Sequence, residues 1–266
     1  MPELPEVETI RAQLDPLLVG RSIVYAESHP SAKFTPAIEA TGAGVDAVRR
    51  RGKYLLIDLD DDRELVIHLG MTGVLSVPNE REEGSYCRAQ WQLDNDRWLV
   101  FNDVRRFGRI RVVRAGDYSS ISTLHQLGPE PTDDAFTASH LHQALNKSSR
   151  RIKTQLLSQR PVAGLGNIYA DEALWLARVK PSARKISKPA ATRLRDACEE
   201  VIVAGINNGG TTLRDYRNAE GGSGSNQHYL RCYGRGGEPC ERCGTALTSA
   251  VFDARTTTWC PTCQKR

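Results

Sequence analysis

Residues 240–263 read Cys240-Glu241-Arg242-Cys243, then sixteen residues that include Val251-Phe252-Asp253-Ala254-Arg255-Thr256-Thr257-Thr258-Trp259, then Cys260-Pro261-Thr262-Cys263. Two Cys-x2-Cys pairs at this separation let two tight turns present four thiolates, the donor set of a tetrahedral zinc site. Pro239 and Gly244 flank the first knuckle and Pro261 lies inside the second, as turn residues should. Four sulfur donors leave no position for water, so one structural Zn2+ ion is expected and not a catalytic one. The alternating, β-branched stretch between the knuckles predicts a β-hairpin whose tip holds Arg255 towards a phosphate; a plain surface arginine is the alternative. The remaining three of the seven cysteines, Cys87, Cys198 and Cys232, have no partner at ligand spacing.

Working back from this module, Glu220–Asn226 and Gly209-Gly210 mark loops, and residues 137 to about 206 carry a helical pattern through Ile152, Leu156, Leu157, Ile168, Ala170, Ala173 and Leu174. Within it, Gly164-Leu165-Gly166-Asn167-Ile168-Tyr169 sets glycines at a helix start, where backbone N–H groups and the helix dipole attract an anion. No Lys-Ser/Thr follows, so this is not a nucleotide P-loop. It suits a grip on the sugar-phosphate backbone of DNA, with a tight helical corner as the alternative. Leu127-Gly128-Pro129-Glu130-Pro131-Thr132-Asp133-Asp134 reads as a linker or helix entry. Before it the period changes to that of strands, near 21–28, 45–59, 63–77, 88–94 and 97–114, with turns at Asp60-Asp61-Asp62 and Asp94-Asn95-Asp96. Residues 3–18 form an amphipathic helix with Pro5 in its first turn. The expected fold class is α+β: an N-terminal antiparallel β-sandwich flanked by a helix, a helical domain, and a zinc finger.

The 266 residues are 39% hydrophobic and 26% charged, a composition that excludes wholesale disorder, collagen and disulfide scaffolds. The longest apolar stretches fall short of the roughly 20 residues of a membrane span. Glu3, Glu6 and Glu8 stand where a signal peptide would be basic. A cytoplasmic location and no membrane partner are therefore expected. The net charge of +4 is small, but Arg178, Lys180, Arg184, Lys185, Lys188, Arg193 and Arg195 crowd 178–195 without an acid, and 147–160 is similar. Such segregation can build a positive face that neutralises phosphates.

The chain opens Met1-Pro2-Glu3-Leu4-Pro5-Glu6. Removal of Met1 would free Pro2 as a secondary amine; an α-amino group titrates at roughly 7.7–8.0, so part of it is neutral and nucleophilic near neutral pH. Such an amine can do the Schiff-base chemistry that lysine does elsewhere, with Glu3 beside it as acid or base.

In order and along nearly the whole chain, these features resemble the formamidopyrimidine-DNA glycosylase family, the group that includes endonuclease VIII. The resemblance is carried by Met-Pro-Glu-Leu-Pro-Glu-Val-Glu at 1–8, Arg-Gly-Lys-Tyr-Leu at 51–55, His-Leu-Gly-Met-Thr-Gly at 68–73 and Asn-Asp-Val-Arg-Arg-Phe-Gly at 102–108. It continues through Leu-Gly-Pro-Glu-Pro at 127–131, Gly-Leu-Gly-Asn-Ile-Tyr-Ala-Asp-Glu-Ala at 164–173, Gly-Gly-Thr-Thr-Leu-Arg-Asp at 209–215, Tyr-Gly-Arg at 233–235 and the four-cysteine finger.

The resemblance implies a helix-two-turn-helix in the helical part, and domains at 1–127, 137–232 and 233–266 with a linker at 128–136. It implies a bifunctional DNA glycosylase and abasic-site lyase of base excision repair. Pro2 would be the nucleophile at C1′, Glu3 the acid that opens the sugar, Lys53 a proton carrier in β-elimination, and Arg255 a phosphate-holding group in δ-elimination. His68, Asn167 and Tyr233 would contact phosphates. Because C1′ is unreachable inside a duplex, the nucleotide must be flipped out; Met71, Arg105 and Phe107 match the side chains that fill the void. The Asn-Asp-x-Arg-Arg-Phe-Gly pattern implies oxidised purines, such as 8-oxoguanine and formamidopyrimidines, as substrates. An endonuclease VIII-like preference for oxidised pyrimidines and a non-catalytic zinc-finger protein that binds damaged DNA are the alternatives. The partner would be double-stranded DNA carrying oxidised or abasic nucleotides, and a monomer is expected, since one duplex needs no symmetric protein. Val104 departs from the family's usual proline, Ser148-Ser149 stand where basic residues are common, and Thr256-Thr257-Thr258 departs from the commoner finger tip.

Overall fold

The computed structural model describes residues 2–265, and Met1, whose removal the sequence reading requires, lies outside them. The chain forms two compact units. The first runs to His125 and takes back Asn208–Gln227; the second comprises Gln126–Asn207 and the chain from His228 onward.

The first unit opens with α1 (Leu4–Leu18), whose Leu4, Val7, Ile10, Leu14 and Leu18 are buried at helical spacing. Eight strands follow: β1 (Ile23–Ser28), β2 (Val45–Arg51), β3 (Tyr54–Leu59), β4 (Arg63–His68), β5 (Gly73–Ser76), β6 (Cys87–Leu93), β7 (Trp98–Asp103) and β8 (Arg109–Arg114), with a 3₁₀ turn at Thr35–Ala40 and the short α2 (Ser122–His125). They pair into two antiparallel sheets, β1-β6-β7-β5 and β2-β3-β4-β8. Ile23, Leu75, Trp91 and Phe101 of one sheet and Val48, Leu55, Ile57 and Ile67 of the other share a core with α1. This is the expected sandwich with its flanking helix.

Three stretches that read as single apolar segments each divide into two strands. Residues 45–59 turn at Gly52-Lys53, where Arg51 pairs with Tyr54 across a two-residue hairpin and Gly52 takes φ +56°. Glycine in the first central position is the signature of a turn whose twist matches the flanking strands. Residues 63–77 break at 69–72, and 97–114 break at 104–108, where Arg106 lies in the left-handed region at φ +56°. Apolar periodicity runs on through such breaks because the strands on either side face one core, whether they pair as β2 and β3 do or cross between the sheets as β4–β5 and β7–β8 do.

The segment 208–227 departs from the expected helical domain, which ran to 232. It docks on α1 instead: the Ala219 N–H donates to Gln13 Oε1 at 2.9 Å, and Tyr216 and Ala219 join the sandwich core.

The second unit holds α3 (Ala138–Asn146), α4 (Ile152–Leu157), α5 (Asn167–Leu176) and the long α6 (Lys188–Asn207), then the hairpin β9 (Thr248–Phe252) and β10 (Arg255–Trp259). Leu141, Leu156, Leu165, Leu174, Leu194 and Ile202 are buried. The hairpin predicted between the cysteine pairs is present, but its turn is Asp253-Ala254, both at positive φ (48° and 61°), so Thr256-Thr257-Thr258 lies in β10 and not at the tip.

Candidate functional site

Pro2 is buried and directly precedes α1, and Glu3, in extended backbone at the helix start, is 2% exposed. The Glu3 N–H donates to Glu6 Oε2 at 2.7 Å, and Glu6 Oε1 accepts the Thr211 N–H at 2.6 Å. A buried carboxylate is costly unless donors meet it, and here two backbone N–H groups and a helix N-terminus do. Glu6 thus fixes the backbone beside Pro2 and ties residue 211 to it. Reading from composition misses this role; a Glu three residues after the helix cap is the signal that could have found it.

Lys53 sits in the β2–β3 turn, where a lysine ordinarily reaches solvent, yet it is 3% exposed. His68 ends β4 and pairs across the sheet with Tyr54, its ring 4.7 Å from the tyrosine's. Burial, then the positive charges of Lys53 and Arg109, bring His68 down to about 4. The Gly70 N–H donates to His68 Nδ1 at 3.1 Å, which leaves the proton on Nε2. His68 is therefore a neutral donor. Nitrogen NMR at pH 6 should show the neutral Nε2–H tautomer; an imidazolium there would contradict the geometry. Because the folded value lies below the roughly 6.5 of an unfolded histidine, this group costs stability as pH falls from about 6.5 towards 4.

Met71, Arg105 and Phe107 come together on the loops 69–72 and 104–108. Asp103, fully buried at the end of β7, accepts the Thr72 hydroxyl at 2.6 Å and the Gly108 N–H at 2.7 Å, and Thr72 Oγ1 accepts the Arg105 N–H at 3.1 Å. Gly70 makes the approach possible: a Cβ there would stand 2.4 Å from the Phe107 carbonyl carbon. The Arg105 guanidinium lies 4.7 Å over the Phe107 ring. Met71 and Phe107 stay 39% and 44% exposed, so loops this firmly braced hold apolar side chains in water. Asp103 and Thr72 were not singled out by sequence; Asp103 braces the loop that begins at Val104.

In the second unit the same logic places Asn167, Tyr233 and Arg255. Asn167 starts α5, and its Nδ2 donates to the Thr256 carbonyl at 3.0 Å, joining the helix start to β10. Lys153 of α4, 1% exposed, pairs with Asp171 at 2.7 Å and donates to the Thr256 carbonyl and Thr257 hydroxyl at 3.0 Å each. Asp171 Oδ2 accepts the Thr258 N–H at 3.0 Å. Burial pushes the Asp171 carboxyl up, and the Lys153 ammonium works against it. Asp253 in the turn accepts the Thr154 hydroxyl and meets Arg151 at 3.3 Å. These ties hold Ala254 in its left-handed conformation and present exposed Arg255 beside it. Glu172, buried and raised by that burial, accepts the N–H groups of Arg231, Cys232 and Tyr233 at 3.0, 2.8 and 2.7 Å, which sets the backbone of Tyr233.

The sulfurs of Cys240, Cys243, Cys260 and Cys263 all lie within 4.8 Å of one another, close to the edge of about 3.8 Å that a tetrahedron with zinc–sulfur bonds of about 2.3 Å requires. The Thr245 hydroxyl and N–H bring the Cys243 thiol down to about 6, while burial pushes the Cys260 and Cys263 thiols up, so a metal would displace protons as it binds. The cluster is consistent with a zinc ion. Cys87, Cys198 and Cys232 are not among the four, although Cys232 packs with Cys240 and Cys260 in the core of the finger.

Residues 1–110 match the family model of the formamidopyrimidine-DNA glycosylase N-terminal domain, 127–217 that of the H2TH domain of the same enzymes, and 237–266 the zinc finger found in FPG and IleRS. The formamidopyrimidine-DNA glycosylase of Deinococcus radiodurans is 42% identical, covering 99% of this chain and 97% of its own, and that of Thermus thermophilus is 44% identical over 99% and 98%. The crystal structure of the Thermus thermophilus MutM (FPG) protein superposes with a TM-score of 0.92 at 43% identity, covering 99% of this chain and 98% of that one. A Lactococcus lactis FPG mutant in complex with Fapy-dG-containing DNA superposes at 0.90, with 34% identity and full coverage of both chains. No helix among the described residues is long and apolar enough to cross a membrane. Matched from end to end by sequence and by fold, the chain belongs to the formamidopyrimidine-DNA glycosylase family.

Proposed function

We propose that the protein is a bifunctional DNA glycosylase and abasic-site lyase of base excision repair that removes oxidised purines, 8-oxoguanine and formamidopyrimidines, from double-stranded DNA. The Pro2 nitrogen, freed of Met1, attacks C1′ of the flipped nucleotide; the C1′–N bond breaks and the base leaves with a proton. Glu3 protonates the ring oxygen as the sugar opens. The resulting iminium acidifies the C2′ proton, Lys53 moves it, and the 3′ phosphate leaves by β-elimination. Departure of the 5′ phosphate by δ-elimination follows, with Arg255 holding phosphate. His68, as a neutral donor, Asn167 and Tyr233 bind the backbone, while Met71, Arg105 and Phe107 fill the void. A single zinc ion on the four cysteines is structural. The protein works as a monomer in the cytoplasm; residues 1–127, with 208–227 packed on them, carry the chemistry, 128–136 link, and the helical part and the finger bind DNA.

The observation that carries this reading is that Pro2, Glu3, Glu6 and Lys53 are all buried in the first unit, with Glu3, Glu6 and Lys53 only 2%, 1% and 3% exposed. A buried ionisable group costs free energy that its partners must offset, so several of them gathered in one unit mark a candidate site. The names of the relatives and the Fapy-dG in the Lactococcus lactis complex support the substrate class.

Borohydride trapping on duplexes carrying 8-oxoguanine, an abasic site or an oxidised pyrimidine tests it. A covalent adduct is expected with the first two and little with the third, attached at Pro2 by mass spectrometry and blunted in Pro2→Gly. A pyrimidine-preferring profile would refute the substrate, and no adduct on any duplex would leave a protein that binds damaged DNA without cutting it.

A further inference from the structure

Part of the acid-free basic run lies at the far end of α5 from Asn167. Ten residues at about 1.5 Å each separate the two ends of that helix by roughly 15 Å. Beyond its last turn, Arg178, Lys180, Lys185, Arg193 and Lys265 line a cavity of about 570 Å³ between the segment after α5 and the first turns of α6. None of the five is in an ion pair among the described residues, and no acid occurs from 173 to 195. Two of the five heads are anchored on backbone: Arg193 Nε donates to the Ala177 carbonyl at 3.1 Å and Lys185 Nζ to the Asn146 carbonyl at 2.6 Å. The apolar part of the floor is formed by Val179, Ala183, Ile186 and Ala190, with Ser187 and Cys263 of the finger beside them.

Arg178 is an independent sign. It follows α5 at φ +58°, with the Arg178 N–H bonded to the Trp175 carbonyl at 3.1 Å and the Val179 N–H to the Leu174 carbonyl at 2.9 Å. This left-handed position after a helix is where glycine is ordinarily found, because a side chain there is strained. A long cation at a strained position facing a cationic cavity suggests that the side chain has a use.

We infer that this cavity receives an acidic peptide segment of a partner protein, with carboxylates on the cationic rim and an apolar side chain on the floor. A DNA backbone offers phosphates and sugar but nothing for a concave apolar floor, and a free phosphate is far smaller than a space in the usual range of ligand pockets, ~300–1,000 Å³. The charge pattern selects the acid, the floor selects a peptide.

Fluorescence anisotropy with a labelled probe peptide, Asp-Asp-Asp-Leu-Asp-Leu-Phe, tests this on the full-length zinc-loaded protein. Binding is expected, and is lost when Asn replaces every Asp of the probe or Ser replaces its Leu and Phe. Arg178→Glu with Lys180→Glu should weaken the peptide about tenfold, at about 0.7 kcal/mol for each rim charge, while lesion-duplex affinity falls by clearly less and borohydride trapping at saturating duplex is retained. Arg178→Gly, which relieves the turn and so folds at least as well, should also weaken the peptide. Absence of peptide binding, equal binding of the Asn probe, or a loss of duplex affinity in the Glu variant as large as the loss for peptide would each overturn the inference, the last by making the cavity part of the DNA track.

Discussion

Cys243→Ser should lose its zinc and about a hundredfold in affinity for a lesion-bearing duplex, the equivalent of two charge-assisted contacts at about 1.5 kcal/mol each. The reason lies in how little else holds the finger. Its own core is Trp175, Cys232, Leu247 and the ligand cysteines Cys240 and Cys260 themselves. A module this small cannot fold on apolar burial alone. Metal binding supplies what is missing, about 10–16 kcal/mol in zinc-finger peptides. Without it the cysteine turns open, β10 loses its anchor at Trp259, and Arg255 ceases to be presented. The sandwich of the first unit has its own core and should keep its thermal transition. Atomic absorption, duplex titration and calorimetry on the same preparation separate these effects. Unchanged duplex affinity after chelation would sink the structural role of the metal.

The cysteine spacing, the hairpin between the knuckles and the alternating strands were legible because each signal is local. A tetrahedral site needs four donors within a few residues of two turns, and a strand declares itself over five or six positions. What was not legible is the set of polar residues that aim the functional ones. Lys153 meets Thr256 from 103 residues away, Glu172 reaches Tyr233 across 61, and Glu6 meets Thr211 across 205. In a string of letters each is an ordinary charge on a helix. Burial alone tells them apart, and burial is a property of the packed chain. The docking of 208–227 on α1 was hidden for the same reason: glycines mark a loop but not the surface on which it lies. The hairpin turn shows a local rule overridden. Asp253-Ala254 lacks the glycine that two positive φ angles favour, a choice that costs roughly 1–2 kcal/mol at Ala254. Thr154 and Arg151 on Asp253, with Lys153 one residue beyond the turn's end, hold it there.

Lys153→Met should destabilise the second unit by about 3–5 kcal/mol, because it strips the buried Asp171 carboxyl of its cation, leaving it either to stay charged unpaired or to take up a proton and lose its hold on its donors. For a protein of this size such a loss lowers the melting temperature by on the order of 10 °C. Asp171→Leu should do comparable harm from the other side, stranding the ammonium among Thr256 and Thr257 and removing the acceptor of the Thr258 N–H. The double variant should lose clearly less than the sum of the two, since neither charge is then stranded; the shortfall is the coupling that a double-mutant cycle reads. Strict additivity would mean that the pair contributes nothing as a pair, and that β10 is held by the metal and its strand partner alone. The functional consequence follows from geometry. Lys153 grips the strand at Thr256, one residue from Arg255, and Asn167 donates to the same carbonyl. A loosened β10 therefore moves two proposed phosphate contacts at once. The single variants should weaken duplex binding even at temperatures where they remain folded, while the tautomer of His68, in the other unit, stays as it was.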